Sequence, residues 1–334
     1  MRAAIFAVLA AGIAGLASAA TPVPHYKVVD TIAGPDGSWD YASVDPQTGR
    51  LFVARGDGVT MFNLKEGITT SWKGVARAHA VVPLRDGRIL VTSGNDATVR
   101  WFDVKSGQQT GSVAVGRKPD AAIADMIHHR VLVMNSADGT VSVVDADAMR
   151  VTRTIKLKPG LEYAALDGTT LFVNDEDSNE IEVTDLAANR PIAPIALNGC
   201  EGPTGIAYDA QHDTLIAACA NGKAAIVDAK SRRLVKLIDI GRGPDAVIMD
   251  YRRRLAFIPC GRDGVLEILS LDAPGGVARV GRVTTEVGAR TGALDPATGT
   301  IYLPTARFSA PASPAARPSA VPGSFHVLVV RPAD

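Results

Sequence analysis

The chain has 334 residues, of which 46% are apolar, and its 35 Lys plus Arg balance 35 Asp plus Glu to a formal charge of zero. That balance, with no polybasic run, leaves no electrostatic drive toward nucleic acid or anionic lipid, so neither is expected as a partner. The 32 Gly and 20 Pro suit many turns better than long helices, and length alone allows two domains.

The first segment sets the compartment. Arg2 precedes an apolar run from Ala3 to Leu16, and Ala17-Ser18-Ala19 supplies a small-residue cleavage site. Residues 1–19 therefore read as a secretory signal peptide. A membrane anchor needs about 20 apolar residues, and no stretch reaches that length, so no membrane insertion is expected. The mature protein is expected to be periplasmic or secreted, and a monomer.

After the leader comes HYKVVDTI, His25 to Ile32, and then one unit repeated seven times. Residues 115–157 are its clearest copy. There, Ala121 to Ala124, Arg130 to Met134 and Thr140 to Val144 read as strands, and Asp138-Gly139 permits a tight hairpin. Val151 to Leu157 alternates apolar and polar residues, as a strand buried on one face does. The first residue of each second strand falls at Leu51, Ile89, Val131, Leu171, Leu215, Ala256 and Ile301, in steps of 38 to 45 residues. The turn after each third strand gives a second column, Asn63, Asp103, Asp145, Asp185, Asp228 and Ser270, in steps of 40 to 43. Two columns with one period and four short antiparallel strands per unit define an all-β, seven-bladed β-propeller. It forms one domain over 25–332. The seventh copy lacks its last strand, and His25 to Ile32 is predicted to dock there and close the ring.

The turns between first and second strands are polar throughout, so His128, His129 and His212 read as solvated turn residues, and Arg252 to Arg254 as a solvated corner. Only 306–323 breaks the period. Its four Pro and six Ala predict an irregular, extended insertion in the last blade, on the face that carries the interblade loops. A lid over the channel mouth and a disordered ornament are both open readings of it.

The sequence VG, KPD, RVLVMN and GTVSVVDADAMRV within the template resembles the YVTN-repeat β-propellers, the YncE-like group of exported bacterial proteins. The resemblance spans residues 26 to 331 and implies seven blades and export. It weakens in the second and fourth blades, where Arg77-Ala78-His79 and Leu161-Glu162-Tyr163 replace the Gly-x-x-Pro entry. The group mostly lacks a defined activity, so the resemblance implies a binding or interaction module and leaves the ligand open.

In a propeller the entry residues of the innermost strands ring the channel mouth. Candidate ligand-binding residues there are Trp39, Asp40, His79, Asp120, Glu162, Arg242, Asp245 and Arg290. For Asp120 and Asp245 the plainer account is a turn cap after Pro, neutralised by nearby bases. Asp40, His79 and Glu162 depart from the repeat and carry more functional weight. No cofactor is expected, with Ca²⁺ or another divalent cation as the alternative. No GxSxG, HExxH or CxxC motif occurs, so no catalytic residue is assigned.

Three function classes follow. The leading one is a non-catalytic module that binds a protein or small molecule through the interblade-loop face. The second is a metal-dependent lactonase-type hydrolase built on Asp40, His79 and Glu162, and the third an accessory to a periplasmic redox enzyme. Of the three cysteines, Cys200 and Cys219 sit on neighbouring segments of blade five and are expected to pair, with Cys219–Cys260 as the rival.

Overall fold

The middle strands of each repeat are apolar on both faces, so every sheet needs a neighbour on each side. In blade 3 the strand Arg130–Asn135 is buried along all but its first residue, whereas the outer strand Arg150–Lys156 alternates exposed and covered positions. That contrast explains why middle strands read as apolar runs and outer strands as alternating ones. The computed structural model describes residues 25–310 and 318–333, and within them seven four-stranded antiparallel sheets form a β-propeller. Blades 1 to 6 span 39–73, 78–114, 119–156, 161–196, 203–239 and 248–284, each with its strands in chain order from the channel outward.

Blade 7 is assembled from both ends of the chain. Ala293–Asp295, Thr300–Thr305 and His326–Ala333 supply three strands, and His25–Ala33 pairs antiparallel with the last of them as the outer strand. The N-terminal strand therefore closes the ring as predicted. Its Tyr26 is 1% exposed and stands edge-on to Phe257 of blade 6, with ring centroids 4.9 Å apart. Closure thus reaches beyond its own sheet.

Turn chemistry sets the far face. The residue before the second strand takes a left-handed conformation at Gly49, Gly87, His129, Asp213, Arg254 and Gly299, with φ between 49° and 80°. An aspartate opening the turn accepts backbone N–H bonds, as Asp45, Asp125, Asp209 and Asp250 do. The histidines serve the same turns: His128 Nδ1 lies 2.8 Å from Asp125 and His212 Nδ1 2.9 Å from Asp209. Arg254 corrects the expectation of a solvated corner. It grips buried Asp209 of blade 5 through two nitrogens at 2.8 and 2.7 Å and also pairs with Asp272. It is an interblade clamp.

Cys200 and Cys219 form the disulfide, with Cα atoms 5.4 Å apart, and Cys260 remains a buried free thiol. The bridge ties the loop entering blade 5 to its second strand and restricts the unfolded chain by about 3 kcal/mol. The insertion is more regular than its composition implies, because Phe308 pairs with Ala320 and Ser309 N–H donates to Ser319 O at 2.9 Å. Residues 311–317, like the expected signal peptide at 1–19, lie outside the described residues. No helix among the described residues is long and apolar enough to cross a membrane.

Truncating the closure anchor, Tyr26→Ala, is expected to destabilise the protein by about 3 kcal/mol, within the range for deleting a buried aromatic. Urea unfolding measures it. A variant as stable as the wild type would mean that the outer strand contributes little to the ring.

Candidate functional site at the channel mouth

Seven inner strands begin around one channel, and one circle is formed by the second residue of the inner strand in blades 1 to 5 and by the equivalent residue just before that strand in blades 6 and 7. That circle reads Asp40, His79, Asp120, Glu162, Thr204, Asp245 and Thr291. Hydroxyls stitch it together: Thr291 donates to the carbonyl of Asp40 at 2.8 Å, and Thr204 to that of Pro244 at 3.1 Å. Thr92 and Asn174 do the same one layer out, bonding the carbonyls of Asp120 and Thr204 in the following blades.

The charged members fall into three groups. His79, 4% exposed, has Nδ1 2.7 Å from Asp40 and 3.3 Å from Asp120, and Arg77 Nε donates to its Nε2 at 3.3 Å. The contact from Arg77 and the one to Asp40 together place the neutral ring's proton on Nδ1. Burial works against a charge on this imidazole, but the bond to Asp40 and the field of Asp120 outweigh it and raise its pKa above the usual histidine value. Arg290 Nε donates to Asp245 at 2.8 Å. Burial pushes Asp245 up to about 6, against the pull of Arg290. Glu162 has no such partner: burial, with the charges of Asp120, Asp245 and Glu176, pushes it up to about 10, so it is a neutral acid at pH 7. Beneath the ring, Tyr41 and Tyr163 pack with centroids 5.1 Å apart.

A cavity of about 560 Å³ opens off this ring above blades 1 and 7. Asp40, Arg77 and Arg290 form its polar side, and Trp39, Phe308, Val321, Pro322 and Phe325 its apolar side. The Trp39 ring tilts against Phe325 at 5.4 Å and Phe308 at 6.2 Å. Arg55 lies 3.8 Å over the Phe325 ring, and Asp36 accepts the N–H groups of Gly323 and Phe325, which fixes the base of the insertion. That volume and mixture suit a small organic ligand or a short peptide segment.

Of the sequence-derived candidates, Asp40, His79, Asp120, Glu162, Asp245 and Arg290 come together at the mouth, and Trp39 joins them as cavity wall. Arg242 does not. It is exposed and pairs with Asp263 at 2.9 Å on the rim, because its neighbour Gly243 turns the chain before the strand begins. Asp36, Phe308, Phe325 and Glu176 were not legible as mouth residues. Phe308 had one signal: it is the sole aromatic in the Pro/Ala-rich insertion.

No protein-family model and no curated protein matches the chain in sequence. Solved structures do match in shape. A chain of the mitotic checkpoint complex aligns with TM-score 0.75 at 15% identity, covering 100% of this chain and 99% of its own. The WD40 repeats of RRP9 align at 0.75 and 11%, over 91% and 98%. A chain of hydrazine synthase from Kuenenia stuttgartiensis aligns at 0.68 and 16%, over 88% and 96%. At these identities the likeness is one of fold, the β-propeller, and carries no residue of the mouth.

The unpartnered acid makes a signed prediction. Because the folded state holds the Glu162 proton far above its ordinary value, this group's contribution to stability falls as pH rises from about 4.5 toward 10. Glu162→Gln is expected to match the wild type at pH 4 and to exceed it at pH 9 by several kcal/mol. Urea unfolding at the two pH values checks it, and an equal gain at both would assign the effect to packing.

Proposed function

We propose that the protein is an exported propeller of the YVTN-repeat, YncE-like kind that acts as a binding module, with the channel mouth as its ligand site. The observation that carries this reading is the cavity itself, where an aromatic wall meets two guanidinium groups and a carboxylate. The ligand is a small molecule or protein segment with an apolar body against Trp39, Phe308 and Phe325 and a polar end toward Asp40, Arg77 and Arg290. Export is supported by the leader at 1–19 and by the Cys200–Cys219 disulfide, which an oxidising compartment maintains. The YVTN assignment rests on the VG, KPD and GTVSVVDADAMRV motifs.

The apolar anion anilinonaphthalene sulfonate is a probe of this chemistry. It is expected to bind the folded protein saturably with enhanced fluorescence, and Phe308→Ala is expected to raise its Kd roughly tenfold by removing one buried aromatic contact. Binding unchanged in that variant would remove the cavity as the site.

One observation favours a second reading. Asp40, His79 and Asp120 offer ligand atoms that all lie within 4.8 Å of one another, a two-carboxylate, one-imidazole set suited to a divalent cation. In a metal-dependent hydrolase of the lactonase type, such an ion would polarise the ester carbonyl. Glu162, part of the sequence-derived set, is not among the three residues whose ligand atoms cluster there. Metal analysis decides: under the binding-module reading the purified protein carries no ion that depends on His79. A stoichiometric divalent ion lost in His79→Ala would replace it with the hydrolase.

A further inference from the structure

A second group of acids lies apart from the mouth, in the hairpin between the second and third strands of blade 4. Asp175 ends Thr170–Asp175, and Glu180 and Glu182 lie in Glu180–Asp185. The register sets Asp175 opposite Glu180 and Val173 opposite Glu182, so three carboxylates share one end of the hairpin. Each offers an oxygen within 4.8 Å of the others.

The repeat supplies an internal control for this position. In blade 3 the same three places hold Asn135, Thr140 and Ser142. There Asn135 Nδ2 donates to Thr140 Oγ1 at 3.0 Å and to Ser142 Oγ at 2.9 Å, a neutral set that satisfies its donors internally. Blade 6 has one acid in the column of Glu182, the fully buried Glu267. Glu267 accepts the Gly241 N–H at 2.9 Å, pairs with Arg282 and has Arg279 4.0 Å away.

An oxygen without a donor is not peculiar to blade 4, since Asn135 Oδ1 and Glu267 Oε2 also lack one, but blade 4 sets three acids against fewer bases. The outer strand beside Glu182 reads Ile192-Ala193-Pro194-Ile195, with no base. Asp175 is completely buried; its Oδ1 accepts the N–H groups of Asp177 and Ser178, but its Oδ2 has no donor. Glu182, 4% exposed, has Lys158 Nζ 3.3 Å away without an aligned hydrogen bond. Lys158 also pairs with Glu180, and its own side chain is 51% exposed. A single half-exposed ammonium therefore faces three carboxylates, two of them buried. Buried carboxylates short of donors are costly, and a second positive charge among them removes that cost.

We propose that this hairpin is a Ca²⁺ site whose protein ligands are Asp175, Glu180 and Glu182. An all-oxygen set without imidazole or thiolate selects a hard cation, and irregular spacing suits calcium better than the strict octahedron of magnesium. Lys158, on a flexible stem, swings to solvent as the ion enters. The same turn carries Glu176, whose charge acts on Asp120 and Glu162, so the ion also steadies one edge of the mouth. The site shares no residue with Asp40, His79 or Asp120 and does not depend on the function proposed above.

Calorimetric titration of CaCl₂ into the chelator-treated full chain tests it. One Ca²⁺ per chain is expected, with Kd below about 1 mM. Glu180→Gln and Glu182→Gln are each expected to weaken binding at least roughly tenfold, and Lys158→Met to tighten it several-fold by removing a competing charge. His79→Ala leaves it unchanged. If Glu182→Gln fails to fold, Glu180→Gln, at the half-buried position, gives the same readout. No saturable uptake by the wild type up to about 10 mM would overturn the proposal. Binding that survives both Gln variants, or that is weakened by Lys158→Met, would do so as well. Loss of binding in His79→Ala would assign the ion to the mouth instead.

Discussion

Sheets that are apolar on both faces have no stable place to stop except against one another, and that requirement organises the molecule. Each blade offers its middle strands to two neighbours, so the stack must curve back on itself. The last gap is filled by His25–Ala33 on the strand His326–Ala333. Once the ring is closed, one position from each blade must lie on one circle. Proximity at the mouth is therefore imposed by the scaffold, and Thr291 reaches Asp40 across 251 residues of sequence.

Such a circle concentrates ionisable groups at low dielectric, and this chain meets the difficulty in three ways. His79 stands between two acids from neighbouring blades and serves both. Arg290 crosses from blade 7 to hold Asp245 of blade 6. Glu162 has only the field of Lys118 to set against burial and three nearby acids, and its pKa is raised. The first two solutions consist of bonds between blades, so the polar mouth also fastens the ring. The third leaves an acid whose titration is coupled to that of Asp120 and Asp245, without a hydrogen-bonded base.

The fold was legible in the sequence because the repeat is a measurement made seven times. The column Asn63, Asp103, Asp145, Asp185, Asp228 and Ser270 coincides with the last residue of each third strand. The site was legible only as a list of entry residues. Periodicity says that Asp40 and His79 share a face; it does not say that Arg242 turns outward to Asp263 while Arg290 turns inward to Asp245. Those choices depend on backbone conformation at single residues and on partners 21 and 45 positions away. Arg254 reads as a solvated turn residue for the same reason, since its carboxylate Asp209 belongs to the previous blade. The acids of blade 4 were hidden differently. Glu180 and Glu182 occupy ordinary hairpin positions, and only comparison with Asn135, Thr140 and Ser142 in the finished structure shows three acids sharing one lysine where blade 3 has a neutral set.

Seven copies of one unit would give a mouth of seven equivalent positions, and a propeller needing only to fold would fill them with side chains that satisfy one another. Thr204 and Thr291 do so, each spending its hydroxyl on the next blade. Asp40, His79 and Asp120 also hold one another, across three consecutive blades, and Glu162 of the next blade is the member without such a bond. The cavity lies at one end of this arc, where blade 7 carries the insertion and Phe308 and Phe325 cover Trp39. A charged arc that fastens neighbouring blades and an apolar wall built from the segment that breaks the repeat thus meet at one edge. Ring closure accounts for the arc but not for the wall, which is the feature that the proposed ligand site uses.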